Sequence, residues 1–188
     1  MGRIRLVFSG SGGQGVVTAA IILAEAAVLY DGLTAVQTQS YGAAARGGTT
    51  RSDVIISEDP INYPMVVQPN ILVCLTQEAY HKYAPMIRPG GLLISDSHYV
   101  KTERRVDAVQ NELPLYETVT QQLGSAVALN ICMLGAVMGF TRLVQVKSIK
   151  DVLQKRVPNR FLDMNHQALN LGLELAGETL PRNSFPSP

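Results

Sequence analysis

The chain has 188 residues, 46% of them apolar, which is enough for one domain that buries a substantial core without disulfides. A formal net charge of +1 gives no electrostatic footprint for nucleic acid, and the basic pairs Arg104-Arg105 and Lys155-Arg156 are too sparse to supply one. Cys74 and Cys132 are the only cysteines; an iron–sulfur cluster takes four, so both are expected as buried thiols in a reducing compartment.

Residues 4–8 are a short apolar run with β-branched members, suited to a strand covered on both faces, and the run stops at Ser9. Gly10, Gly12 and Gly15 then fall at G-x-G-x-x-G spacing with Gly13 and Gln14 between them, and an Ala-rich helical pattern follows from Val16 or Val17 to Tyr30. Strand, glycine turn and helix in that order aim free backbone N–H groups at an anion, and Thr18 adds a hydroxyl in the first turn. Glycine suits such a cradle because the turn needs positive φ and because a Cβ holds a phosphate away from the amides. A tight turn with no ligand is the other reading of the same residues.

A dinucleotide site places an acidic residue ~20 positions beyond the glycines to hold the ribose. Here the second strand, residues 34–39, leads into Gln39, Ser40 and Tyr41, and no carboxylate follows until Asp53. An NAD(P)-dependent oxidoreductase is therefore disfavoured. Residues 40–50 are glycine- and alanine-rich around Tyr41, Arg46 and Gly47, a composition that lets a ligand or another surface approach while Arg46 meets a phosphate or carboxylate. A flexible linker is the alternative.

Residues 53–57, 71–75 and 92–95 read as further strands, with Thr76 capping a helix that ends near Pro85, and the alternation through Asp96 predicts an α/β fold with a doubly wound, mostly parallel, three-layer sheet. In such a sheet, residues 9–15, 39–46, 76–78 and 96–97 share the edge where ligands bind. Further on, residues 106–109 suggest a short strand and 116–123 a helix stopped by Gly124. Residues 127–140 form a helix that is apolar almost all round, interrupted by Asn130, with Gly135 and Gly139 four apart on one face; it is either central in the core or pressed against another chain. Ser148 is expected to cap a helix running to Lys155, and a last helix runs from Arg160 or Phe161 to Leu175, with Gly177 as its stop. One domain over residues 1–180 and a flexible tail over 181–188 are expected. His81, His98 and His166 have no metal-ligand spacing, no signal peptide precedes the first strand, and no run reaches the ~20 residues that span a bilayer, so a cytoplasmic protein without metal or membrane is expected.

Three stretches, Gly10-Ser-Gly-Gly-Gln-Gly-Val-Val-Thr-Ala-Ala, Gln39-Ser-Tyr-Gly-Ala-Ala-Ala-Arg-Gly-Gly and Ser52-Asp-Val-Ile-Ile-Ser, together carry a resemblance to the gamma subunit of 2-oxoacid:ferredoxin oxidoreductases, with the 2-oxoglutarate type most similar. The resemblance extends through Gln77-Glu78-Ala79-Tyr80 and residues 130–135. It implies a Rossmann-like subunit of a complex that oxidatively decarboxylates a 2-oxoacid to an acyl-CoA and passes electrons to ferredoxin. Thiamine diphosphate and iron–sulfur clusters then belong to the alpha, beta and, where present, delta subunits, while this chain closes the site and meets coenzyme A, the acyl acceptor. By residue, the resemblance makes Gly10, Gly12, Gly13, Gln14 and Gly15 the turn, and Ser40, Tyr41, Arg46 and Gly47 the loop facing the reaction site. Such a chain is expected to be inactive alone, to meet the other subunits through residues 41–48 and the apolar face of residues 127–140, and to self-associate when isolated. A non-catalytic assembly scaffold remains a third reading.

Overall fold

In a computed structural model that describes residues 2–41, 49–103 and 105–179, the opening apolar run becomes β1 (Ile4–Ser11) inside a six-stranded sheet. With β2 (Thr34–Tyr41), β3 (Thr49–Ser57), β4 (Ile71–Cys74), β5 (Gly91–Asp96) and β6 (Ala108–Leu113), the order is β2-β3-β1-β4-β5-β6. Neighbours from β1 to β6 across β4 and β5 are parallel, whereas β3 runs antiparallel to both β1 and β2. All strands but β3 therefore point the same way, which is the mostly parallel sheet expected.

Two expectations are corrected here. The alternation of strand and helix breaks at β2 and β3, which pair antiparallel, because residues 42–48 are too few for a crossover and a parallel return takes a dozen or more. Pairing also lengthens β1 beyond Ser9: Gly10 lies opposite Thr50 and Ser11 opposite Thr49, so Gly10 belongs to the strand and the turn proper starts at Gly12.

Side chains alternate across the pleat into two cores. Leu6, Phe8, Val54, Ile56, Val73 and Ile94 face α1 (Val16–Leu29), α3 (Leu115–Leu123), α4 (Leu129–Thr141), α5 (Val146–Arg156) and α6 (Asn159–Thr179). On the other face, Val7, Ile55, Leu72 and Leu93 pack with α2 (Gln77–Tyr83), the 3₁₀ turn that follows it, Val66 and Val100. Local signals read from the sequence set several boundaries: the Thr76 hydroxyl accepts the Ala79 N–H at 3.2 Å to start α2, and Gly124, in the left-handed region at φ 70°, ends α3. Other boundaries move. Ser148 lies inside α5 and donates its hydroxyl to Asp31, whose other carboxylate oxygen accepts the Gln145 N–H at 2.6 Å, so α5 is capped from the turn after α1 rather than by its own serine. Gly177 sits within α6, and the short strand near residue 108 is β6, beginning at Ala108. Residues 180–188, the expected tail, lie outside the described residues.

The apolar helix is α4, and it is central. Every residue from Leu129 to Met138 is buried, against the sheet on one side and α6 on the other. Gly135 faces the Leu169 backbone and Gly172 faces the Cys132 and Ala136 backbone, so the two helices touch main chain to main chain. The expected subunit-facing surface on this helix is thereby overturned: of that segment only Val127, 74% exposed in the 3₁₀ turn before α4, presents an apolar side chain to solvent.

This contact predicts an asymmetry between two glycines of α6. A methyl at Gly172 overlaps the Cys132 carbonyl oxygen, so Gly172→Ala should cost about 1–3 kcal/mol in chemical denaturation by forcing the helices apart. Gly177 has open space around its Cα, and Gly177→Ala should hold or raise the midpoint.

Candidate functional site: the glycine turn and its cleft

Because β1, β2, β4, β5 and β6 share one direction, their carboxyl ends form a single rim. The rim collects residues 9–15, 39–41, 76–78 and 96–97, as expected for the described part of the set. Gln39 and Ser40 are exposed on the edge strand β2, opposite Ser52 and Arg51, and Tyr41 lies opposite Thr50. Arg46 and Gly47 fall in residues 42–48, outside the described residues. At the base of that connection the Thr49 hydroxyl donates to Glu78 Oε1 at 2.6 Å, tying β3 to the first turn of α2. Asp53, the first carboxylate after Gln39, is held by Arg51 through two bonds of 2.6 and 2.8 Å within β3, so it is spoken for by the sheet rather than by a ribose.

The glycines have different jobs. Gly15 is the N-cap of α1 at φ 71°, and a Cβ there would lie 2.6 Å from Asn130 Nδ2, which donates to the Gly15 carbonyl at 3.3 Å. Gly13 has φ 91°, a conformation that side chains disfavour. Gly10 is buried in β1, where a Cβ would meet Gln14 Oε1 at 2.5 Å. Gln14 itself closes the turn: its Oε1 accepts the Ser11 N–H at 2.7 Å and its Nε2 donates to the Leu75 carbonyl at 3.3 Å. Gly12 differs from all of these, with no positive φ and no described atom within 4 Å of a Cβ built on it.

Beyond the turn, α1 starts with N–H groups that have no intrahelical acceptor and no side-chain cap from Gly15, and its first turn holds no acidic residue, so the helix itself leaves the positive end of its dipole uncompensated. Thr18 is exposed in that first turn. Gly13, Gln14 and Gly15 form one wall of a cleft of about 290 Å³ whose other walls include Tyr99, Tyr116, Val127 and Asn130. Tyr99 and Tyr116 meet edge to face at 5.1 Å, and His98 stacks on Tyr116 at 4.6 Å. The group that positions these rings is Asp96, fully buried at the end of β5: its carboxylate accepts the His98 and Tyr116 N–H groups, each at 3.0 Å, and its carbonyl accepts the Tyr99 and Val100 N–H groups. Burial pushes the Asp96 carboxyl pKa up, and the two backbone N–H bonds pull against that rise by favouring the charged form. Tyr99 is pushed up too, by burial first and then by its hydrogen bond with Tyr116.

Tyr99, Tyr116 and Asn130 were not among the site residues expected from the sequence. Asn130 had a signal, as the single polar residue in an apolar run, whereas the tyrosines had none, since only the turn after β5 and the start of α3 bring them to the glycines. Both cysteines are fully buried, with thiol pKa values pushed up to about 12 by burial, too high to yield a nucleophilic thiolate near neutrality. Among the described residues no group of three His, Cys, Asp or Glu side chains is placed to hold a metal, and no helix is long and apolar enough to cross a membrane.

Comparison with known proteins places this architecture. Residues 5–175 match the pyruvate ferredoxin/flavodoxin oxidoreductase family. The 2-oxoglutarate synthase subunit KorC of Methanocaldococcus jannaschii is 40% identical over 178 residues, covering 94% of this chain and 95% of that one. The crystal structure of a keto/oxoacid ferredoxin oxidoreductase gamma subunit from Geobacter sulfurreducens superposes with a TM-score of 0.87 at 38% identity, over 95% of this chain and 98% of that one. A 2-oxoglutarate:ferredoxin oxidoreductase from Magnetococcus marinus, solved with 2-oxoglutarate, coenzyme A and succinyl-CoA, shares the fold at a TM-score of 0.86 and 19% identity, covering 98% of this chain and 33% of that one. The resemblance seen in the glycine turn and the Gln39 motif is thus borne out: the chain belongs to the pyruvate ferredoxin/flavodoxin oxidoreductase family, as an oxidoreductase subunit similar to the gamma subunits of the 2-oxoglutarate type.

Proposed function

We propose that this chain, within a cytoplasmic complex that converts 2-oxoglutarate to an acyl-CoA and reduces ferredoxin, closes the reaction site and holds the phosphates of coenzyme A at the turn formed by Gly12, Gly13, Gln14 and Gly15. The observation that carries this reading is Gly12. Its neighbours have structural reasons to be glycine, in positive φ or in crowding by Gln14 and Asn130, but the described fold leaves room and a permissive backbone at Gly12. A glycine that the fold does not require is explained by something that comes close from outside, and the uncapped start of α1 beside it favours an anion. The fold relative from Magnetococcus marinus was solved with coenzyme A and succinyl-CoA, which is the ligand chemistry proposed.

In this reading the described residues supply positioning rather than reactive groups. Thiamine diphosphate and iron–sulfur clusters in the alpha, beta and, where present, delta subunits supply the electron sink and the path to ferredoxin. The turn fixes the phosphates, Tyr99 and Tyr116 offer aromatic surface to the base across the same cleft, and Arg46 pairs with an anionic group from the connection after β2. Orienting the acyl acceptor and excluding water is how a subunit without reactive groups raises a rate.

Calorimetry on the purified chain tests the cradle. Gly12→Val should weaken coenzyme A or ADP binding by about tenfold or more with the melting temperature held, because the valine methyls take the place of the anion and the Cβ that carries them meets no described protein atom. Equal affinity in the variant makes the turn purely structural and returns the scaffold reading, and tight NADH binding returns the nicotinamide one. For Arg46, a charge-assisted bond to a buried anion is worth roughly 1.5–3 kcal/mol, so Arg46→Ala should lose most of it and Arg46→Lys part, read as a lower acyl-CoA-forming rate in the assembled complex at unchanged thermal stability. The subunit role is tested by reconstitution. Viologen or ferredoxin reduction driven by 2-oxoglutarate should be absent with this chain alone and should depend on coenzyme A only when it joins the thiamine- and cluster-bearing subunits; full coenzyme A-dependent activity without it overturns the role.

A further inference from the structure

A second groove lies at the opposite rim, where β1 and β4 begin. Between β3 and β4 the chain crosses residues 58–70 without helix or strand, through Pro60, Pro64 and Pro69. The segment is nonetheless pinned along its length. Arg3 donates to the Pro60 carbonyl at 3.1 Å, Arg51 to the Val66 carbonyl at 2.7 Å, and the Arg88 N–H to the Pro69 carbonyl at 3.1 Å. Asn70 exchanges two bonds with the Arg5 main chain, at 2.8 and 3.0 Å, and Val66 is buried in the core below.

So anchored, the segment still holds three large apolar side chains in solvent: Tyr63 at 60% exposure, Met65 at 56% and Val67 at 63%. With Arg5, Arg88 and Asn70 they line an open groove of about 660 Å³. Its charge is unbalanced. Arg5 and Arg88 are the charged side chains among its described lining residues, and none of those residues is acidic. Tyrosine, methionine and arginine over an anchored backbone are the composition of an interface centre rather than of a solvated loop, because such side chains bury much area at little cost in ordering when the main chain is already fixed.

We propose that this groove is where the chain docks on another subunit of its complex, and that the docking segment is extended, apolar and acidic, its apolar side chains covering Tyr63, Met65 and Val67 and its carboxylates pairing with Arg5 and Arg88. The charge of the groove favours a different chain over a second copy of this one: a two-fold contact sets this edge against itself and brings the arginines together. The geometry also separates docking from ligand binding. The groove is at the amino ends of the strands and the glycine turn at their carboxyl ends, so a partner seated here leaves the cleft open.

The inference rests on the subunit reading, and one experiment keeps the two apart. The purified chain is titrated into a preparation of the alpha and beta subunits, at low and high salt, with coenzyme A titrated separately into the chain. Arg5→Glu with Arg88→Glu, and separately Met65→Asp, should weaken association with the subunits by roughly tenfold or more, and the wild-type affinity should fall with salt, while coenzyme A affinity and melting temperature hold. Arg5→Lys with Arg88→Lys should retain most of the association. Because Met65 is exposed, its variant reads the surface even where the double charge reversal impairs folding. Undiminished association of Met65→Asp and the folded charge-reversal variant overturns the groove and leaves the subunit reading standing, whereas a wild-type chain that ignores the other subunits overturns both. Dimerisation of the wild-type chain by sedimentation, abolished by Met65→Asp, assigns the groove to a second copy and overturns the proposal in that way.

Discussion

The main-chain contact between α4 and α6 is the constraint from which the arrangement of the site follows. Gly135 and Gly172 remove the side chains that normally hold helices 8–10 Å apart, so α4 sinks between α6 and the sheet and has no solvent face left. That depth brings Asn130, in its first turn, to the Gly15 carbonyl. The amide there is a buried polar group with an acceptor waiting, and the glycine at position 15 is the room left for it. The start of α1 is thus held from the core side by α4 and from the sheet side by Gln14 on Leu75. A turn braced in this way keeps its N–H groups aimed without help from a ligand, which lowers the ordering cost of binding one.

The antiparallel β3 has an effect beyond the sheet diagram. Because β3 runs antiparallel to β2, β3 begins at the rim where β2 ends: Tyr41 lies opposite Thr50, and Thr49 lies directly beside Ser11, where β1 gives way to the glycine turn. The hydrogen bond from Thr49 to Glu78 fixes the start of β3 against α2. Residues 39–41 and the glycine turn, separated by a helix and a strand in sequence, come to one rim because β1 and β2, each antiparallel to β3, run in the same direction.

Charge is distributed to match. The described lining of the cleft carries no charged side chain, and behind it the oxygens of the buried Asp96 carboxylate are committed to the His98 and Tyr116 N–H groups, with Glu117 paired to His98 at 3.4 Å. The groove at the opposite rim is instead lined by Arg5 and Arg88 with no acidic side chain among the described lining residues, beside exposed apolar side chains. The glycine turn and the apolar groove thus lie at opposite ends of the strands, with the sheet between them.

Local patterns in the sequence determined what is locally caused. Apolar runs bounded by turn residues marked the strands, Thr76 and Gly124 marked helix ends through their own hydroxyl and their own φ, and the glycine spacing with the Gln39 motif carried the family. What the sequence left open turned on contacts between distant residues. An apolar run of strand length does not say which neighbour it pairs with or in which direction, so the antiparallel run of β3 was not legible, and β1 is expected to stop at the end of its own hydrophobic stretch, though pairing with β3 extends it. A helix that is apolar all round has no face to read, and only the contact of Gly135 in α4 with Gly172 and the Leu169 main chain in α6 decided that α4 belongs to the core and not to a partner. The cap of α5 comes from Asp31, and Tyr99 and Tyr116 join the glycine turn through Asp96 at the end of a buried strand. No periodicity encodes such meetings, because each depends on where the sheet has already placed its partner.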